Sequence, residues 1–233
     1  MYPYVCINTY ERPDRRQWCQ QLFDKLGWQV EFYQTHRNPH PGRGNYESHR
    51  AVARKYPNGC IVFEDDIVLA DHFTLQRWEE TLQKAVKYIK EGHCQIFYFG
   101  SFPLIFNRCS KQIEGPIFEL KAQCAHAYLL GPEGCQQLSK TEFEGIIIDN
   151  WYVANLKAYA YLPSLIDQGS FGSDLDGGAW HSQIITNSFL RAYYHQLVSR
   201  YPYYSSYPVT IWFLFLILII LIVVYFCYTN IRR

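Results

Sequence analysis

The chain has no excess of charge of either sign. Its 233 residues include 22 Lys and Arg against 21 Asp and Glu, a formal net charge of +1. No electrostatic feature therefore marks it for nucleic acid. The opening stretch "MYPYVCINTYERPDRR" lacks the long apolar core of a secretory signal, and no Asn-x-Ser/Thr sequon occurs anywhere. The 8 cysteines show no paired spacing. Most sit in apolar surroundings, as buried free thiols do, so a disulfide framework is not expected. No Gly-rich phosphate loop follows the first predicted strand, and no internal repeat or low-complexity tract precedes residue 200.

Against these absences stand a high aromatic content, 18% of residues, and one long apolar run. From Val209 to Tyr228 the sequence reads "VTIWFLFLILIILIVVYFCY", without a single charge. A helix of about 20 apolar residues spans a bilayer core of ~30 Å. Trp212 and Tyr225 lie towards its ends, and Tyr201, Tyr203, Tyr204 and Tyr207 precede it as an interfacial belt. The run contains no Gly-x-x-x-Gly, so it gives no sign of close helix dimerisation. The expectation is a single-pass C-terminal tail anchor, with residues 1–208 in the cytosol. The organisation expected is a main domain over 1–180, a Tyr-rich juxtamembrane segment over 181–208, the anchor over 209–228 and a short basic tail over 229–233.

Before the anchor, apolar runs alternate with helical patterns. "YVCIN" reads as a strand, and "DRRQWCQQLFDKLG" reads as an amphipathic helix that Gly27 stops. "WQVEFYQ" reads as a second strand. A loop with Pro39, Pro41, Gly42 and Gly44 leads to a helix near 45–56. "CIVFE" (60–64) is apolar enough to be buried on both faces, as in a parallel sheet. Asp71 is placed to cap a helix over 72–91. "QIFYFG", "IFELKA", "AHAYLLG" and "YAYLP" read as further strands, with a helix opened by Pro132 and another near 149–157. The expected fold is an α/β three-layer sandwich with a mostly parallel central sheet, plus the C-terminal transmembrane helix.

In open α/β sheets ligands bind at the carboxyl ends of the strands. Two predicted strands end in reactive groups there. One ends at Asn8-Thr9 and is followed by Arg12, Arg15 and Arg16, which can grip a diphosphate or simply stand solvated at a helix start. The other ends at Glu64-Asp65-Asp66. Adjacent carboxylates either form a solvated turn or hold a hard divalent cation. His49 lies on a mixed helix, where a lone histidine is often structural. Gly100, ending another buried strand, is where a sugar can approach the backbone.

The ordered blocks "VCINTYERPDRR", "GNYESHRAVARKYPNGCIVFEDDIVL", "AHAYLLGPEGCQQL" and "IIIDNWYVANLKAYAYLPSLIDQ…GSD" resemble glycosyltransferase family 25, the lipooligosaccharide and procollagen galactosyltransferases. The resemblance covers about residues 4–175. It implies a GT-A-like fold, a UDP-sugar donor and Mn²⁺ (or Mg²⁺). It places Asn8, Thr9, Arg12, Arg15 and Arg16 around the uridine diphosphate, with Ser48 and His49 near the donor. Asp66 becomes the direct metal ligand, while Glu64 and Asp65 reach metal, ribose or sugar. His181 in "GGAWHSQ" is the candidate late metal ligand; its alternative is a loop histidine. Asp149 matches the position of a base that deprotonates the acceptor. Helix capping or acceptor binding is the alternative for Asp149, and Asp174 is the rival base. Between Phe102 and Ile117 the resemblance lapses, and acceptor specificity is expected there.

The expected function is therefore transfer of a hexose, galactose or glucose, from a UDP-sugar to a glycan, glycoprotein or glycolipid acceptor, with inversion. The alternatives are an anchored nucleotide-sugar-binding protein without activity, or a metal-dependent nucleotidyltransferase.

Overall fold

A computed structural model describes residues 2–102, 109–120 and 123–169. The first half of this region is built from strand–helix units. Strand β1 (Tyr4–Thr9) is followed by helix α1 (Pro13–Leu26), β2 (Val30–Thr35), α2 (Pro41–Lys55), β3 (Cys60–Glu64), a short β4 (Ile67–Leu69) and α3 (Leu75–Lys90). The second half contains β5 (Ile96–Phe102), β6 (Cys109–Glu114), β7 (Ile117–Leu120), β8 (Gln123–Leu130), α4 (Pro132–Lys140), α5 (Ile148–Asn155), β9 (Ala158–Tyr161) and β10 (Ile166–Gln168).

The main sheet has strand order β2-β1-β3-β8-β5-β9-β7-β6. β1 pairs in parallel with both β2 and β3, and β5 pairs in parallel with β9. β8 and β7 run against their neighbours. The fold is thus mixed α/β around a mostly parallel sheet, and β10 pairs with β4 in a separate two-stranded sheet.

β3 shows why the sheet is covered on both faces. Cys60 and Val62 point into one apolar cluster, shared with Tyr46 and Val52 of α2, Leu138 of α4 and Tyr152 of α5. Ile61 and Phe63 point into a second cluster, with Cys19 and Phe23 of α1 and Trp78 and Ala85 of α3. Side chains alternate along a strand, so the uninterrupted apolar run that marks β3 in the sequence feeds both cores. Five of the cysteines, Cys6, Cys19, Cys60, Cys94 and Cys135, are buried and free.

Several boundaries differ from the sequence reading. Helix α2 begins at Pro41, so the expected glycine-rich loop is its first turn. Pro is favoured there because its missing N–H would have no helical acceptor. Gly44 is required where it stands, since a Cβ would lie 2.7 Å from Cβ of Asn38. The cap of α3 is Thr74, which accepts from the Arg77 amide, and not Asp71. Gly27 does end α1, in the left-handed conformation at φ 69°. β6, β4 and β10 were not foreseen. Among the described residues no helix is long and apolar enough to cross a membrane; the Val209–Tyr228 run lies outside them.

Candidate active site

The carboxyl ends of β1, β2 and β3 open on a cleft of about 350 Å³, within the size range of small-molecule sites. Ile7, Asn8, Thr9 and Arg15 line one wall, and Glu64, Asp65, Asp66 and Gln168 line another. Thr35, His36, Arg37 and Asn38 from the end of β2, with Asn45 and Ser48 of α2, complete the rim. The parallel pairing of the three strands brings these groups together, because it places their carboxyl ends side by side.

The three acidic residues have different surroundings. Asp65 is paired at both oxygens: it accepts from Asn8 Nδ2 at 2.7 Å and from Arg15 Nη1 at 2.8 Å. Asp66 is buried, and its Oδ2 accepts from Gln168 Nε2 at 3.0 Å and from Arg15 Nη1 at 3.4 Å. Its other oxygen, Oδ1, is buried without a hydrogen-bond partner. Burial, and next the charge of Glu64, push the Asp66 carboxyl well above its ordinary value. Glu64 is raised to about 7 by burial and then by the charge of Asp149. Its Oε1 accepts from Asn45 Nδ2 at 3.2 Å and meets His49 Nε2 at 3.4 Å.

Arg15, about fifty positions earlier in the chain, is therefore the counter-charge that the acidic stretch itself lacks. It lines the cleft and bridges Asp65 and Asp66, and because it is buried it is not a solvated helix-start residue. Arg12 stands outside the cleft lining and pairs with Asp14 at 2.8 Å. Arg16 is exposed, with its guanidinium 4.9 Å from the centre of the Phe32 ring. Ser48 lines the cleft and donates to the Gly44 carbonyl at 2.7 Å. His49 lies behind the cleft wall. It is fully buried, and burial pulls it down to about 4, so it is neutral.

Asp149 sits in the first turn of α5, whose N-cap is Ile147, so it is not the capping residue. Its charge reaches both Glu64 and His49. Gly100 is not open to a ligand: a Cβ there would lie 2.4 Å from His126 Nε2 and 2.4 Å from the Ile166 carbonyl oxygen. This glycine makes room for protein. Asp174 and His181 lie outside the described residues.

Sequence reasoning missed Gln168, Asn45, the Thr35–Asn38 rim and His126. His126 is buried and donates from Nε2 to the Ile166 carbonyl at 3.0 Å. Gln168 ends the "PSLIDQ" stretch and Asn45 lies near the start of the block "GNYESHRAVARKYPNGCIVFEDDIVL"; those blocks were the available signal. The rim residues carry no pattern of their own.

A divalent cation fits what is present. Asp66 Oδ1 is a buried carboxyl oxygen without a partner, Thr9 Oγ1 is also buried and unpartnered, and Glu64 is near enough to Asp66 to raise it. No group of three His, Cys, Asp or Glu side chains able to hold a metal occurs among the described residues. A hard cation of the magnesium type is commonly held by one or two carboxylates, with substrate phosphates and water completing the shell.

Among solved structures the chain is similar to an apo UDP-glucose pyrophosphorylase, at 12% identity and TM-score 0.41, over 68% of this chain and 72% of that one. It is similar to HddC from Yersinia pseudotuberculosis at 8% identity and TM-score 0.40, over 70% and 71%. No protein-family model matches the chain, and no curated protein matches it. Likeness this weak lends the chain neither protein's activity, and function has to be read from the cleft itself.

Proposed function

We propose that the chain is a metal-dependent glycosyltransferase that moves a hexose from a UDP-sugar to a glycan or glycoconjugate acceptor. The observation that carries this reading is the unpartnered Asp66 Oδ1, buried in a residue that lines the strand-end cleft together with Glu64. The resemblance of the ordered sequence blocks to glycosyltransferase family 25 favours a sugar-transfer role over nucleotidyl transfer in this reading. The Val209–Tyr228 run anchors the protein, with the catalytic region on the cytosolic side.

Asp66, with Glu64, would hold the cation and through it the diphosphate. When bound, such a cation supplies Lewis-acid neutralisation of the charge that grows on the departing diphosphate. Arg15 and Gln168 fix Asp66 by its Oδ2, and Asn8 and Arg15 fix Asp65. These bonds keep the acidic loop in one geometry before substrate arrives, which is the preorganisation a charged transition state rewards. Thr35, His36, Arg37 and Asn38 offer polar groups along the nucleotide side of the cleft. Asp149 takes the proton of the acceptor hydroxyl. The acceptor oxygen bonds to the anomeric carbon as the bond from that carbon to the phosphate oxygen breaks, and UDP leaves with the electron pair. Asp174 is the rival base.

The test uses the full chain in detergent with a panel of UDP-sugars and Mn²⁺, measuring UDP release with and without EDTA. Slow, EDTA-sensitive release of UDP from one donor supports the reading. Release of pyrophosphate from a nucleoside triphosphate and a sugar phosphate would assign nucleotidyl transfer instead. Failure of every UDP-sugar to bind by calorimetry would overturn the proposal.

A further inference from the structure

Behind Glu64 runs a buried polar chain that the proposed chemistry does not use. Asn45 and His49 are four residues apart on α2, so both face the same side of the helix, and both reach Glu64 Oε1. His49 Nδ1 lies 2.5 Å from the Tyr128 hydroxyl, and that hydroxyl lies 2.8 Å from the Tyr152 hydroxyl. Tyr128 belongs to β8 and Tyr152 to α5, so the chain joins the sheet to both helices on this face. All three rings are buried.

The chemistry of the groups sets the direction of the bonds. Glu64 is ionised when it holds the cation and then accepts only, so His49 Nε2 carries the proton that faces it in that state. A neutral imidazole then has its lone pair at Nδ1, and the Tyr128 hydroxyl must donate to it. The Tyr152 hydroxyl in turn donates to Tyr128. Every hydroxyl and ring nitrogen in the chain has a partner, and its last link falls on one oxygen of a carboxylate at the cleft.

We infer that Tyr152, Tyr128 and His49 are positioning residues that act through Glu64. They fix the imidazole tautomer, and the imidazole with Asn45 pins Oε1, so that Oε2 is held in one place for the cation and donor. Carbonyls and carboxylates that orient a metal-binding imidazole do comparable work from the other side. The inference rests on Glu64 belonging to the donor site.

The experiment measures UDP affinity in the presence of Mn²⁺ by calorimetry on the full chain in detergent. Its variants are Tyr128→Phe, Tyr152→Phe, Glu64→Gln and the double variant Tyr128→Phe with Glu64→Gln. Removing an outer partner of this kind costs about tenfold in affinity, and that loss is expected for Tyr128→Phe. In the Glu64→Gln background Tyr128→Phe should cost nothing more, a result that a purely structural role would not give. Tyr152→Phe breaks the chain one link further out and should show a smaller loss, and it serves as the test if Tyr128→Phe does not fold. Unchanged affinity in the tyrosine variants, with Glu64→Gln impaired, would overturn the positioning role while leaving the donor site standing. So would equal losses in both Glu64 backgrounds. Full affinity in Glu64→Gln would overturn the inference together with the assignment of Glu64.

Discussion

At the scale of single residues, Arg15 decides how three adjacent carboxylates are tolerated. Its Nη1 touches both Asp65 and Asp66, and all three side chains are nearly buried. Taking away one partner of a buried ion pair leaves an uncompensated charge, at a cost of about 3–5 kcal/mol. Arg15→Gln should therefore lower the urea midpoint markedly, and Mn²⁺ should restore part of the loss if a cation binds beside Asp66. Asp66→Ala is expected to abolish metal-dependent UDP binding. Asp149→Asn should spare that binding and reduce turnover about 10²–10⁴-fold, the usual contribution of a general base. Full activity in Asp149→Asn with loss in Asp174→Asn would transfer the base assignment.

Glu64 also gives the site a pH signature. Its folded value is raised to about 7, above the ordinary carboxylate range near 4.3. Between those values the folded chain holds a proton that the unfolded chain has released, so stability falls as pH rises through this window. The slope for one proton is at most about 1.4 kcal/mol per pH unit. Asp66, raised in the same direction, adds to this fall, and His49, lowered to about 4, opposes it between pH 5 and 6.5. In the metal-free protein Glu64→Gln should therefore reduce the loss of melting temperature from pH 5 to pH 7.5 by the share that belongs to Glu64. The same pH dependence in Glu64→Gln as in the parent protein would contradict the raised Glu64 carboxyl.

At the scale of elements, Gly100 ties β5 to β8 and β10. The His126 ring and the Ile166 carbonyl occupy the space a side chain would need. Gly100→Ala must therefore displace His126 from Ile166, shifting the strand that carries Gln168 to Asp66. Overpacking of this kind costs about 1–3 kcal/mol, read from the denaturant midpoint. UDP affinity should fall with it, since β10 supports the acidic loop. The helices were the more legible elements. α1 and α3 carry apolar residues at helical spacing, whereas β4 and β10 are three residues each and have no periodicity to read. The start of α2 was hidden because Pro41, Gly42 and Gly44 resemble a loop until Asn38 is seen packed against them.

At the scale of the whole molecule, two apolar clusters on opposite faces of one sheet bury Cys6, Cys19, Cys60, Cys94 and Cys135. Burial pushes the Cys94 thiol up to about 12, so it stays protonated and unreactive at neutral pH. Native protein treated with iodoacetamide at pH 7.5 should leave Cys6, Cys19, Cys60, Cys94 and Cys135 unmodified by mass mapping, and all five should react in denaturant. Rapid native labelling of any of them would show that its cluster opens readily.

The sequence by itself determined the layering, because a strand apolar at every position must be covered on both sides. It also determined where chemistry was to be sought, since Asn8-Thr9 and Glu64-Asp65-Asp66 end runs that can only be buried strands. Only the tertiary structure decided how those groups divide their work. Parallel pairing of β1 with β3 sets Arg15 against Asp65 and Asp66, β10 brings Gln168 to the same carboxylate, and α2 turns His49 towards Glu64. Each of these partners is distant along the chain from the group it meets. A sequence pattern records which residues alternate or recur locally, and it contains no measure of which strand end will lie beside which.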